Sequence, residues 1–203
     1  QGMFPELMET FYEERKKWKG KMIEYQKEKE RTTDTVRRKQ LDTLIKRAYN
    51  NQQVRKIALN SAYGAMANQY FAFFSIDMAE AITLSGQLAI RWAEKIVNEY
   101  LNNVLKTEDE DYVIAIDTDS IYITMDKLVQ QVLPDAPKNK VIDFLSKAET
   151  QIEDILEKGF EDLADYTNAF EQKMEMGREV IADRGIWTAK KRYILNVHDN
   201  EGV

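Results

Sequence analysis

Asp117 and Asp119 flank one threonine in Ile116-Asp117-Thr118-Asp119-Ser120, at the end of an apolar, β-branched run. Carboxylates two positions apart at a strand end can point the same way, and their hard oxygens suit Mg²⁺. Two such ions, about 3.5–4 Å apart, activate an attacking oxygen and stabilise a leaving one, which is the chemistry of phosphoryl transfer. The other reading of the pair is structural, with each aspartate capping nearby amides in a turn. A second group is Lys56, Asn60, Ser61, Tyr63 and Gly64. Steps of four and three residues place Lys56, Asn60, Tyr63, Gly64 and Ala67 on one helical stripe. A cation and an amide one turn apart can grip a phosphate chain, an aromatic edge follows one turn on, and the glycine lets a flat group approach the backbone. Any one of these residues fits an ordinary helix with a snorkelling lysine and a packed tyrosine. Five fixed positions together arise by accident on the order of 10⁻⁴ times in a chain of this length.

The elements that must position these residues follow from periodicity. Pro5 can occupy a first helical turn, and Leu7, Met8, Phe11, Tyr12, Trp18, Met22 and Tyr25 recur at helical spacing, which predicts a helix from Glu6 to about Lys29. The polar group Arg31-Thr32-Thr33-Asp34 follows, with Thr33 or Asp34 as the cap of a second helix from about Val36 toward Asn68. So short a connection implies an antiparallel, projecting hairpin. Within it, Arg15 and Lys19 share one face of the first helix by their i,i+4 spacing. A third helix is predicted over 77–105, carrying Met78, Ile82, Leu88, Ile90, Trp92, Ile96, Val97 and Leu101. The period then changes. Tyr112–Ile116 and Ile121–Ile123 read as strands on either side of the Asp-Thr-Asp-Ser connection. Another helix is expected from Val141 to about Leu163, then strands at 179–182 and 193–197 separated by Asp183-Arg184-Gly185. The expected class is α+β: a long antiparallel helical hairpin followed by a small antiparallel sheet covered by helices.

Composition bounds the function. The 203 residues are 43% hydrophobic and 32% charged, enough for one compact domain or two small subdomains. No apolar run approaches the ~20 residues of a membrane span, and no export signal opens the chain. We therefore expect a soluble, cytoplasmic protein with no membrane partner. The absence of cysteine excludes disulfides, thiolate zinc sites and cysteine nucleophiles. With His198 the only histidine, any metal must be held by oxygens. The formal charge of −6 argues against a nucleic-acid partner, yet residues 1–60 hold 15 Lys and Arg against 9 Asp and Glu. A basic working surface on an acidic body gives that asymmetry, as would a solvated helical face.

The Lys-x-x-x-Asn-Ser-x-Tyr-Gly pattern at Lys56–Gly64 closely resembles the fingers motif of family B DNA polymerases. The resemblance implies that Lys56 contacts an incoming triphosphate, that Asn60 assists, and that Tyr63 and Gly64 pack against the nascent base pair. Arg15-Lys16-Lys17-Trp18-Lys19-Gly20 is similar to a segment of tailed-phage replicative polymerases, which would make Arg15 and Lys19 two further triphosphate-binding cations. Asp117-Thr118-Asp119-Ser120 resembles the palm motif Tyr-Gly-Asp-Thr-Asp-Ser, with Asp119 the firmer metal ligand and Asp117 the second. Ala115-Ile116 stands where the family has Tyr-Gly, a departure that bears on primer-terminus packing and leaves the carboxylates intact. Trp187-Thr188-Ala189-Lys190-Lys191-Arg192-Tyr193, read as part of a strand, resembles the segment that holds the primer, which implies duplex contact by Lys190, Lys191 and Tyr193. The bland reading of these cations is a charged strand edge. Glu179 would be an outer member of the carboxylate cluster. Gly177 replaces the aspartate expected two positions before it.

The matches run in order along the chain, so the resemblance implies fingers over 1–68 and a partial palm over 69–203. It implies DNA-directed DNA polymerase chemistry with two Mg²⁺ ions in the intact enzyme, primer-template DNA and deoxynucleoside triphosphates as partners, and an infected bacterial host if phage-encoded. The family's first palm motif, proofreading exonuclease and thumb have no counterpart in these 203 residues. They would come in cis or as a separate chain, and without them we expect little activity. Three rivals stand beside this reading: a non-catalytic, palm-like DNA-binding module, an Asp-nucleophile phosphatase of the haloacid-dehalogenase type, and a helix-mediated interaction protein. The phosphatase would require alternating βα units.

Overall fold

The computed structural model describes residues 2–202. Nine elements follow in order: α1 (Met3–Arg31), α2 (Thr35–Met66), α3 (Ile76–Leu105), β1 (Val113–Asp117), β2 (Ser120–Ile123), α4 (Asp126–Val132), α5 (Lys138–Tyr166), β3 (Val180–Ala189) and β4 (Arg192–Asn200). The class is α+β. Its strands form two separate two-stranded antiparallel sheets, β1-β2 and β3-β4. The chain divides into two compact units, one running through Ala81 and taking in Glu201, the other Ile82–Asn200.

The first unit is built on the α1/α2 hairpin. At 29 and 32 residues these helices are about 43 and 48 Å long. The turn between them is set by local chemistry. Thr32 N–H closes α1 on the Glu28 carbonyl at 3.0 Å, and the Asp34 carboxylate accepts from Val36 N–H at 2.9 Å, capping α2. Ion pairs cross between the helices from Arg37 Nε to Glu28 at 2.7 Å, Lys29 Nζ to Asp42 at 2.6 Å, and Arg55 Nε to Glu14 at 2.6 Å. Hydrogen bonds from Arg37 and Lys29 hold the carboxyls of Glu28 and Asp42 below the ordinary range. Those two pairs sit in water and contribute register more than energy. Leu41, Ala48, Gln52 and Met66 form the buried stripe of α2, whereas α1 buries no residue fully. At the open end of the hairpin Phe4, Phe71 and Phe73 cluster with ring centroids 5.7–6.3 Å apart.

The second unit has the principal core. Ala89, Ala93, Val97 and Leu101 recur every fourth residue on α3 and meet Leu156, Phe160 and Leu163 of α5, with Tyr112 and Val113 beneath them. Close approach of the two helices depends on Gly159: a methyl group there would lie 2.0 Å from Ile96 Cδ1, so Ile96 would have to turn away. Trp92 Nε1 donates to the Gly159 carbonyl at 2.8 Å across the same contact.

Two elements differ from the sequence expectation. The seven-residue helix α4 is too short to show a helical period. In the last hairpin, β3 continues through Asp183-Arg184-Gly185, where the pairing register shifts, and the turn falls at Lys190-Lys191. Gly185 thus marks an irregularity within a strand and not a break between strands. The lysines expected on a strand form its two-residue loop, with Lys191 at φ 62°.

The polar contacts of this unit tie helices to strands. Arg178 donates to Glu149 of α5 at 2.6 Å and pairs with Asp199 of β4. Burial lowers its pKa, but hydrogen bonds to those two carboxylates outweigh that and hold it above the usual value. Asp183 accepts from Lys138 Nζ at 2.9 Å and Asn196 Nδ2 at 2.7 Å, and His198 Nε2 lies 3.0 Å away. The lone histidine therefore packs within the β3-β4 sheet, beside the first residue of α5. Among the described residues no helix is long and apolar enough to cross a membrane.

Candidate functional site

In the second unit β1 is anchored before its carboxylates are placed. Asn98 and Asn102, one turn apart on α3, bind the incoming strand. Asn98 Oδ1 accepts from Tyr112 N–H at 2.8 Å and Val113 N–H at 3.2 Å, and Asn102 exchanges two bonds with the Glu110 backbone at 2.8 and 3.0 Å. Tyr112 is 2% exposed, and its hydroxyl lies 2.8 Å from Thr107 Oγ1. We expect Asn98→Ala to lower unfolding free energy by about 1–3 kcal/mol, because the Tyr112 amide loses its acceptor, whereas Val113 N–H keeps Asp111 Oδ1 at 3.0 Å. Chemical denaturation of the purified chain measures this; an unchanged midpoint would show that β1 needs no such anchor.

From that anchor β1 leads to Asp117, which pairs with Ser120 across a two-residue loop of Thr118 and Asp119. Thr118 carries φ 57°, the sign that two-residue hairpin loops require at their first position. Thr118 Oγ1 donates to Asp117 Oδ1 at 3.0 Å, and Ser120 Oγ donates to the Asp117 carbonyl at 3.1 Å. Asp119 is exposed, and among the described residues nothing donates to its carboxylate. The capping reading of the pair therefore fits Asp117 in part and Asp119 not at all. The turn presents two hard oxygen donors, a partial fit to Mg²⁺. Among the described residues no three acidic or imidazole side chains gather as a ligand set, and Glu179 stands exposed just before β3.

Strand alternation puts Asp117, Ala115 and Tyr122 on one face of the β1-β2 hairpin. Tyr122 meets two aromatic residues of the other sheet edge-on: Trp187 at 5.3 Å and Tyr193 at 5.4 Å between ring centroids. Trp187 and Tyr193 are direct register partners, three residues from the lysine loop on one side and two on the other. Burial, then the neighbouring Tyr193 hydroxyl and the Asp117 carboxylate, push the Tyr122 phenol up to about 12, against an opposing hydrogen bond with Ser120. The structure thus brings Tyr193 together with the Asp117 turn through Tyr122, a residue to which sequence reasoning assigned no role. The signal available for it was alternation alone, two positions beyond Ser120. Lys190 and Lys191 are exposed at the hairpin tip, and no carboxylate among the described residues pairs with them.

In the first unit the predicted stripe of α2 is present. Lys56, Asn60, Tyr63 and Gly64 are all exposed, away from the buried stripe. No acidic residue pairs with Lys56 among the described residues. Gly64 costs the helix about 0.5–1 kcal/mol relative to alanine, yet a methyl group there would meet nothing within 4 Å. Internal packing therefore does not account for this glycine. On α1, Arg15 neighbours the Glu14–Arg55 bridge from one side and Lys56 does so from the other, so the register sets them at about one level along the hairpin. Arg15 Nε is sealed from solvent without a hydrogen-bond acceptor. Lys19, one turn on, pairs with Glu201.

The sequence matches DNA polymerase family B over residues 1–202. It is 41% identical over 165 residues to the DNA-directed DNA polymerase of Enterobacteria phage T4, an alignment covering 76% of this chain and 18% of that protein. It is 42% identical over 160 residues to the DNA-directed DNA polymerase of Escherichia phage RB69, covering 73% of this chain and 18% of that protein. The chain thus spans less than a fifth of the length of these curated relatives. A match that runs through both units, over the helical stripe, the carboxylate turn and the lysine-tipped hairpin alike, makes this chain a member of DNA polymerase family B.

Proposed function

We propose that this chain contributes the nucleotide-gripping fingers (1–68) and part of the palm (69–203) to template-directed addition of deoxynucleotides to a DNA primer. The observation that carries the reading is the Asp117-Thr118-Asp119 turn: an exposed, unpartnered carboxylate beside a second one, in a chain of this family. Asp119 and Asp117 would hold Mg²⁺, with Glu179 as an outer member of the set. Bound there, the ions would lower the cost of charge developing on the attacking and leaving oxygens.

The remaining roles belong to the chain's own side chains. Lys56 and Asn60 offer one cation and one amide to the triphosphate, and Arg15 and Lys19 add charge at neighbouring levels of the hairpin. The orphaned Arg15 Nε supports its part in this, since a buried donor lacking an acceptor is costly until an anion supplies one. Lys19 would exchange Glu201 for that anion. Tyr63 and the uncrowded backbone at Gly64 would meet the base pair. Lys190, Lys191 and Tyr193 would grip the primer strand through phosphates and groove edges, which binds any sequence.

The test is binding of a fluorescent primer-template duplex to the purified chain at low salt, with and without Mg²⁺ and the complementary deoxynucleoside triphosphate. We expect salt-sensitive binding that tightens when both are added. Two carboxylates alone hold Mg²⁺ weakly, so primer extension by the chain itself should be negligible. Absence of duplex binding would sink the proposal. Duplex binding indifferent to nucleotide and Mg²⁺ would favour a palm-like module that holds DNA without catalysis.

A further inference from the structure

We propose that Tyr122 is a positioning residue, which locks the Asp117–Asp119 turn to the β3-β4 hairpin and so fixes where the Lys190-Lys191-Tyr193 tip lies relative to the carboxylates. The inference rests on the function proposed above. β1-β2 and β3-β4 share no ladder hydrogen bonds, since each is a separate two-stranded sheet. An isolated two-stranded hairpin is at best marginally stable, so its orientation must come from side-chain packing.

Tyr122 supplies such packing at a defined place. It projects from β2 on the Asp117 face, opposite Ala115, whose small side chain leaves the ring unobstructed on its own sheet. Its ring stands at 77° to Trp187 and 65° to Tyr193, edge-on to both members of one cross-strand pair. Edge-to-face contacts are directional, so a rigid ring held by two of them fixes an angle as well as a distance. Tyr193, assigned to the primer, is therefore held by the same ring that neighbours a metal-binding carboxylate.

The chain contains no cysteine, which permits paired spin labels at two introduced ones. Ile114→Cys on β1 and Ile194→Cys on β4 are suited, because both side chains are more than half exposed. Pulsed electron resonance then reads the spread of distances between the hairpins in the full chain. We expect a narrow distribution in the parent and in Tyr122→Phe, and a broad one in Tyr122→Leu. Trp187→Leu, which removes the ring's partner from the opposite side, should broaden it too, and it stands in for Tyr122→Leu if that variant loses its circular dichroism signal. Primer-template affinity of the unlabelled variants should weaken about tenfold in Tyr122→Leu and stay within about twofold in Tyr122→Phe.

A narrow distribution in a folded Tyr122→Leu or Trp187→Leu chain overturns the proposal. So does a broad distribution with unchanged duplex affinity, because the contact would then be packing without consequence for the primer site. Should the parent bind no duplex, the functional reading of the previous section fails while the distance distribution still decides whether Tyr122 couples the hairpins.

Discussion

In a polymerase assembled around this chain, we expect Asp119→Asn to lower the turnover of nucleotide addition by about 10²–10³-fold, the cost of removing one preorganised charge from a phosphoryl-transfer site. The nucleotide KM should change little, since the lost interaction acts on the transition state. The geometry makes this a clean substitution. The Asp119 carboxylate is exposed and accepts no hydrogen bond among the described residues, so an isosteric amide should leave stability within about 0.5 kcal/mol. Single-turnover primer extension over a Mg²⁺ series gives the rate, and thermal unfolding gives the control. Extension at the parental rate would remove Asp119 from the metal site. Asp117→Asn is less diagnostic, because that carboxylate also accepts from Thr118 and faces Tyr122.

How much of this was legible in the sequence depended on whether the cause was local. The first hairpin helix was readable because apolar residues recur at helical spacing along it, and the start of the second was readable at Thr33 or Asp34 because capping needs only a side chain and the amide two residues on, a part that Asp34 takes. The Asp117–Asp119 turn was readable for the same reason, since a change of period marks both strands. The β3-β4 turn was misplaced because Gly185 is the stronger breaker by type, whereas Lys191 adopts positive φ at a loop closed by the pairing of Ala189 with Arg192. Tertiary roles left no local trace. Asn98 and Asn102 look like solvent-facing positions on α3 until β1 docks on them, and Arg178 gives no sign that its partners are Glu149 and Asp199. Tyr122 could be placed on the Asp117 face by counting, but the rings that it meets come from a hairpin more than sixty residues on, which counting does not reach.

The second large effect concerns Lys56. Lys56→Ala should raise the nucleotide KM by about 10–150-fold, the equivalent of one charge-assisted hydrogen bond at about 1.5–3 kcal/mol. The side chain is exposed and unpaired among the described residues, so it contributes nothing to hairpin register, which the Glu14–Arg55 bridge next to it supplies. Thermal stability of Lys56→Ala should therefore match the parent, in contrast to Arg55→Ala, which would strand Glu14 and loosen the helices. A lysine that merely snorkels over the helix surface would behave otherwise: its removal would leave the KM for every nucleotide unchanged. Salt separates the cases further. A triphosphate contact at an exposed site is screened, so the KM ratio between variant and parent should shrink between low and physiological ionic strength, where the Debye length falls to about 8 Å. Steady-state extension of one primer at several salt concentrations measures that ratio, and a ratio near unity throughout would remove Lys56 from the nucleotide site.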